Sequence, residues 1–136
     1  MDSTALYWPM FTQIGLSLLI LFWLAYSRVS RIAKHGLAEI RKTGFPAHVN
    51  NASDNFKNQF EIPVLFYAIC LFFILSGEVT PLVLGLAWVF AIGRVIHALI
   101  QLTKNVIFPY RFGVFLITAL SMVALFVIAV LQLAAL

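Results

Sequence analysis

Two short polar patterns interrupt a chain that is otherwise strongly apolar, and the more distinct one lies in the segment AIGRVIHALIQL at 91–102. Taking about 100° per residue, Arg94, His97 and Gln101 fall within roughly 60° of one another on a helix. Ionisable side chains are expensive inside a bilayer, and those that occur there usually pair with one another or line a polar pathway. The pattern therefore predicts a polar face on one transmembrane helix.

The second pattern leads into the preceding apolar run. Four polar residues fall within roughly 100° of one another if their helix begins by Ser53: Asp54, Lys57, Asn58 and Glu61. An unpaired arginine at a helix centre costs about 2.5–3.5 kcal/mol. We therefore predict an ion pair between Glu61 and Arg94. Asn58 and His97 are expected to complete its hydrogen bonds.

This polar network has two open interpretations. In the first, it only holds two helices in register, as buried polar groups can. In the second, it lines a ligand-binding cavity that opens toward the cytoplasm. The sequence contains no metal-ligand spacing, phosphate-binding loop, dinucleotide fingerprint or nucleophile elbow, so we expect no metal.

Four apolar runs must position these side chains. Of the 136 residues, 62% are hydrophobic and 10% are charged, which is less than half the charged fraction of a soluble domain. Runs of about 20 residues match a hydrocarbon core of about 30 Å. We predict an all-α integral membrane protein, a four-helix bundle that forms one domain over residues 1–136. Its helices are expected at about 6–40, 53–77, 82–102 and 112–136.

Local signals refine these helices. Helix one is expected to start near Pro9 and to continue past the membrane as an amphipathic segment. Gly44-Phe45-Pro46 should break it, and Ser53 should cap the N-terminus of helix two. The residues 78–81 predict a tight turn that makes helices two and three an antiparallel hairpin.

The basic residues are concentrated in two of the predicted loops. Lys104 and Arg111 lie between the last two runs, and six of the nine Lys and Arg residues lie between the first two: Arg28, Arg31, Lys34, Arg41, Lys42 and Lys57. The positive-inside rule places both basic loops in the cytoplasm and both termini on the opposite, outer side. The net charge of +4 is then mainly a topology signal. We expect membrane lipids as partners, and no nucleic acid.

The order of these motifs resembles the MAPEG family, the membrane-associated proteins of eicosanoid and glutathione metabolism. The resemblance rests on Asn58-Gln59-Phe60-Glu61 before Pro63, on Arg94-Val95-Ile96-His97, and on Arg111 at the start of helix four. The resemblance covers the whole chain, and the chain is more similar to the bacterial branch of the family. It implies a homotrimer in a bacterial inner membrane, with helix two toward the centre and glutathione bound between subunits at the cytoplasmic side.

The resemblance also implies roles for individual residues. The candidate glutathione-binding residues are Asn58, Glu61, Arg94, His97, Gln101 and Lys104. Glutathione has two carboxylates and one ammonium, which suit cations and a carboxylate in a cleft. An arginine near the sulfur would lower the pKa of the thiol and supply the thiolate nucleophile. Arg111 and Arg31 are the predicted catalytic residues, with Arg28 as a further alternative.

Three features depart from the enzymatic members of the family. Gln101 stands where those enzymes carry a tyrosine one turn beyond the histidine. The segment LTKNVIFPYR is about one residue longer than in those enzymes. Tyr110, near its end, is therefore the candidate to replace that tyrosine. Pro63 also follows Glu61 more closely than in those enzymes.

Three functions are therefore weighed. The first is a trimeric glutathione transferase or peroxidase that acts on a lipophilic substrate from the bilayer. The second is a non-catalytic protein that binds a lipid or small ligand, or an accessory subunit of a membrane complex. The third is a proton-coupled exporter with Glu61 as the coupling carboxylate. An adjacent Arg94 disfavours the exporter because it would hold Glu61 ionised.

Overall fold

The computed structural model describes residues 1–136, and all regular secondary structure in it is helical. A 3-10 turn at Ser3–Leu6 leads into the first helix, and a short π-type turn at Ile107–Arg111 precedes the last one. The six α-helices in chain order are α1 (Tyr7–His35), α2 (Leu37–Thr43), α3 (Ala47–Asn58), α4 (Ile62–Ser76), α5 (Pro81–Leu102) and α6 (Phe112–Ala134).

Four helical segments are long and apolar enough to cross a membrane, which confirms the predicted all-α membrane class. They are Ser3–His35, Ala47–Ser76, Pro81–Leu102 and Ile107–Ala134. The four-residue connection at 77–80 joins α4 to α5, as the sequence predicted, and the Thr80 side chain caps α5 by accepting from the Val83 N–H. We call the end of the bundle with this connection the turn end. The opposite end, with residues 36–46 and 103–111, is the basic end.

The first helix does not run to residue 40 as predicted. Gly36 has a φ of +81°, a left-handed value that glycine adopts at no steric cost, and it ends α1 at His35. The chain then forms the separate short helix α2, which ends before Gly44 at a φ of +79°. The predicted break at Gly44-Phe45-Pro46 is confirmed, since α3 begins at Ala47.

The second membrane segment is broken in the middle, which the sequence analysis did not predict. Ser53 lies inside α3 and does not cap it, so the predicted N-cap was wrong. Residues 59–61 separate α3 from α4, and Pro63 has no N–H to continue the helical ladder. The 15 residues of α4 span about 22 Å, less than a hydrocarbon core of about 30 Å. The break therefore lies within the membrane.

Helix packing differs along the bundle. α5 and α6 are the most extensively paired neighbours, and a Cβ on Gly93 would lie 2.4 Å from the Thr118 methyl carbon. Near the middle of the bundle, Phe66 and Phe90 stack with ring centroids 4.3 Å apart, inside an apolar core that extends to the turn end. The absence of a side chain at Gly93 allows α5 to approach α6 closely, as small residues often do between membrane helices.

Candidate functional site

The buried polar residues are concentrated toward the basic end. Gln13, Asn55 and Gln59 are completely or almost completely buried, and the three members of the predicted α5 stripe are 3–5% exposed: Arg94, His97 and Gln101. The prediction that these three share one inward face of the helix is confirmed. Arg94 and Gln101 contact the end of α3 beside the break in the second segment, and His97 lies next to Phe115 on α6.

Asn58, Arg94 and Gln101 come together at the C-terminal end of α3. The Asn58 Nδ2 donates to Gln101 Oε1 at 3.3 Å, and Arg94 Nη2 donates to the Asn58 backbone carbonyl at 3.4 Å. Two side chains seven residues apart on α5 thus contact one residue on α3. The α3–α4 break gives the reason, because it leaves carbonyl groups without a normal helical donor.

Arg94 caps the broken helix and is a buried cation with few partners. Its positive charge lies against the negative end of the α3 dipole, where it is favourable. However, its Nε has no hydrogen-bond partner, and no carboxylate oxygen lies within 4.0 Å of the guanidinium. One bond to a neutral carbonyl at 3.4 Å compensates a buried charge only partly.

The predicted Glu61–Arg94 ion pair is absent within the subunit. Glu61 follows α3 in the break, is exposed, and makes no salt bridge. The ion pair within the subunit joins Lys57 to Asp54 at 4.0 Å, with both side chains on the surface, so these two residues do not join the buried polar groups. The break turns Glu61 away from the α3 helical register.

His97 lies beside Arg94 on α5 but does not complete its hydrogen bonds. The ring is 5% exposed, its centroid is 6.4 Å from that of Phe115, and its Nδ1 has no partner. Two adjacent side chains on one helix face therefore each carry a buried nitrogen without a partner. Together they could bind an additional polar ligand.

Arg111 is held by the connection between α5 and α6. Its Nη1 donates to Asn105 Oδ1, and the Asn105 Nδ2 donates to Asn51 Oδ1 at 3.3 Å. Asn105 adopts a φ of +48°, a conformation that asparagine tolerates better than most residues. The neighbouring Lys104 is exposed and makes no ion pair.

Arg31, the other predicted catalytic residue, lies apart from Arg94 and lines a cavity of its own. That cavity, of about 320 Å³, lies between the end of α1, α2 and the following loop. Within one subunit Arg31 is not brought to Arg94, and its catalytic role stays a prediction. The alternative residue Arg28 is already engaged, since it donates to Ser53 Oγ at 3.0 Å and lies 5.8 Å from the centroid of Phe45.

The sequence analysis missed the most buried polar cluster. Gln59 Oε1 accepts from Gln13 Nε2 at 2.6 Å and from Ser17 Oγ at 3.3 Å, while Gln59 Nε2 donates to Asn55 Oδ1 at 2.8 Å. These bonds join α1 to the broken segment. A glutamine within the apolar first run was the available signal, because an amide in a membrane helix needs a partner.

The apolar surface of the bundle offers space for a lipophilic molecule. A cavity of about 400 Å³ lies between α4 and α6 and is lined only by apolar side chains: Leu65, Ala68, Ile69, Met122, Val123 and Phe126. The arrangement thus combines a buried cation near the basic end with an apolar cavity further along the bundle.

Comparison with known proteins identifies the architecture. The model of the MAPEG family matches residues 6–131, nearly the full chain. The sequence finds no match among curated proteins and none among solved structures.

Proposed function

The chain belongs to the MAPEG family, and we propose that it binds glutathione and transfers it to lipophilic electrophiles, or uses it to reduce lipid peroxides. The site lies between subunits of a homotrimer at the basic end. In this proposal the basic end faces the cytoplasm of a bacterial inner membrane, as the distribution of Lys and Arg favours. Both termini are then periplasmic.

The observation that carries this proposal is the buried guanidinium of Arg94. It is 3% exposed, has no carboxylate within 4.0 Å, and leaves its Nε without a partner. A buried cation of this kind is strongly favoured to acquire an anionic partner. Each glutathione carboxylate can accept two parallel hydrogen bonds from an arginine.

The remaining candidate residues would contact different groups of glutathione. Asn58 and Gln101 present amides beside Arg94, and His97 contributes its free Nδ1. The exposed Glu61 suits the ammonium group of glutathione. Arg111, fixed by Asn105, supplies the positive charge near the sulfur. Lys104 adds a cation at the mouth of the site.

The chemistry requires only an activated thiol and an electrophile. Arg111 favours loss of the thiol proton to water because it stabilises the thiolate. In conjugation, the sulfur then attacks the electrophilic carbon, a C–S bond forms, and the leaving group departs with its bonding electron pair. In peroxide reduction, the thiolate attacks the peroxide oxygen, the O–O bond breaks to release an alcohol, and a second glutathione displaces water from the sulfenic acid to give the disulfide. An apolar co-substrate reaches this site from the bilayer, and the cavity between α4 and α6 is suited to its hydrocarbon part.

The break in the second segment supports assembly around this site. Phe60 is 62% exposed, and Glu61 beside it is also exposed, at a level within the membrane. Hydrocarbon cannot satisfy a carboxylate or an irregular backbone, which are tolerated only against protein or a polar cavity. Two further copies of the chain would cover the break and enclose the ligand.

A second candidate is a non-catalytic trimer that binds a lipid or small ligand, or that serves as an accessory subunit. The bond between Gln101 and Asn58 favours it, because the position of the family tyrosine is here engaged within the subunit. The wholly apolar cavity between α4 and α6 would accept such a ligand without any chemistry.

Thermal stability against glutathione tests the proposal. In detergent, the wild-type melting temperature should rise with millimolar glutathione, by the equivalent of about 2.7 kcal/mol at 100 times the dissociation constant. S-methylglutathione should give a similar rise. Only glutathione should yield product with 1-chloro-2,4-dinitrobenzene. A rise without product would favour the non-catalytic candidate, and no rise with no product would exclude the enzyme.

Two variants locate the ligand. Arg94→Leu and Arg111→Leu should each reduce the response, whereas Arg41→Leu, a matched loss of charge at an exposed position of α2, should leave it unchanged. An undiminished response in both Arg94→Leu and Arg111→Leu would place the ligand elsewhere.

A further inference from the structure

A second basic site lies beyond the membrane span, in the elbow formed by the end of α1, α2 and the loop to α3. Residues 28–46 contain five lysine and arginine residues and one glutamate. We propose that the elbow cavity, lined by Arg31, His35, Glu39 and Thr43 above Ile40 and Phe45, binds the phosphate group of an anionic phospholipid. This inference does not depend on the proposed transferase activity.

The cavity is built on fixed positions. Ile40 is 6% exposed, and Phe45 packs against a small buried cluster formed by Leu24, Val49 and Ala52. Gly36 and Gly44, both with positive φ, set the two turns that bring α2 back beside α1. The cavity therefore has an apolar floor and a polar rim held by backbone geometry.

Arg31 has unused hydrogen-bonding capacity at the rim. Its Nε is buried without a partner, and it makes no salt bridge, although Glu39 lines the same cavity. Arg28, one turn earlier, differs because Ser53 and Phe45 engage it. A phosphate offers several acceptor oxygens to a guanidinium fork, with the His35 imidazole one turn away on the same helix.

The depth of Arg31 favours a lipid as the source of the phosphate. Leu102 ends α5 and packs on the cluster that contains Leu24, which marks the level where the apolar span ends. Trp23 and Tyr26 are exposed at this level, as interfacial aromatic residues are. Arg31 lies five residues beyond Tyr26, about 7.5 Å along α1. The headgroup region is about 5–7.5 Å thick on each side of the bilayer.

Lipid titration in detergent tests the site. Short-chain phosphatidylglycerol should raise the wild-type melting temperature at lower concentration than phosphatidylcholine of the same chain length. Arg31→Gln should weaken the phosphatidylglycerol response by about tenfold, the loss expected for a charge-assisted hydrogen bond. Lys34→Gln, an equal loss of charge at an exposed position outside the cavity, should weaken it much less.

A variant that is expected to strengthen lipid binding makes the test independent of folding defects. Glu39→Gln should strengthen the phosphatidylglycerol response, because it removes the carboxylate that faces the phosphate. Equal effects of Arg31→Gln and Lys34→Gln would show a diffuse surface attraction and overturn the site. Glycerol 3-phosphate as effective as phosphatidylglycerol would overturn the lipid as ligand and indicate a soluble phosphate.

Discussion

From the turn end to the middle of the bundle, twelve buried apolar residues pack against one another in a cluster that includes the stacked rings of Phe66 and Phe90. At the basic end, the buried positions include Arg94, His97 and Gln101, and the second membrane segment is broken beside them. Lipid is as apolar as leucine, so packing at the turn end stabilises through close fit. Buried polar groups at the basic end are costly unless they find partners. We therefore expect the main stabilising contacts toward the turn end, whereas the proposed ligand would bind at the basic end.

Removal of a ring at the turn end should give the largest loss of stability. Phe73→Ala, in the last turn of α4 before the connection, leaves a cavity of roughly 100 Å³. A cavity costs about 24 cal/mol per Å³, so we expect a loss of about 2–3 kcal/mol. Unfolding of the detergent-purified protein measures it. The glutathione response, compared at the same interval below the melting temperature, should remain. A variant that keeps its stability would place the main stabilising contacts elsewhere.

The boundary between the two ends can be tested at a glycine. Gly93→Ala should cost about 1–3 kcal/mol, because the new Cβ meets the Thr118 methyl carbon at 2.4 Å. Gly85→Ala is the matched control, since a Cβ there meets nothing within 4 Å and should stabilise α5 slightly. Similar melting temperatures for the two variants would contradict the close approach of α5 to α6.

The hydrogen bonds between α1 and the broken segment should contribute less. Gln59→Leu should cost about 1 kcal/mol, since hydrogen bonds between membrane helices contribute about 0.6 kcal/mol on average. The double variant Gln13→Leu/Gln59→Leu should cost less than the sum of the two single variants, because it leaves no unpaired amide. Additive losses in this double-mutant cycle would argue against the bond.

Asn105 should matter for the reaction more than for stability. Asn105→Gly permits the same positive φ but removes the amide that holds Arg111, so the free energy of unfolding should change by less than about 1 kcal/mol. We expect the conjugation rate to fall about tenfold and the midpoint of its pH dependence to rise, because the thiolate loses a well-placed cation. A rate and midpoint equal to wild type would remove Arg111 from the proposed activation.

The fold was largely readable from hydrophobicity, whereas the site was readable only in part. Apolar runs gave the four membrane segments, and helical spacing gave the buried face shared by Arg94, His97 and Gln101. The break at 59–61 was missed because Asn58 and Glu61 fit one helical face if the helix is assumed to be continuous. In a continuous helix, an ion pair between Glu61 and Arg94 is the simplest compensation for the buried charge.

The turn between α1 and α2 and the buried cluster around Gln59 were missed for different reasons. Gly36 lies within an amphipathic pattern that continues on both sides, so periodicity alone does not show that the chain turns there. The partners Gln13 and Gln59 are 46 residues apart, and only the packing of α1 on the broken segment brings them together. Tertiary arrangement of this kind is not encoded in any local window.

Direct measurement of glutathione binding tests the central claim, that the buried guanidinium of Arg94 takes its anion from outside the subunit. Equilibrium dialysis of radiolabelled glutathione against the purified protein should show saturable binding by the wild type and by Arg41→Leu. Arg94→Leu should show none at the same concentrations. Saturable binding of equal affinity by Arg94→Leu, or no saturable binding by the wild type, would contradict the account.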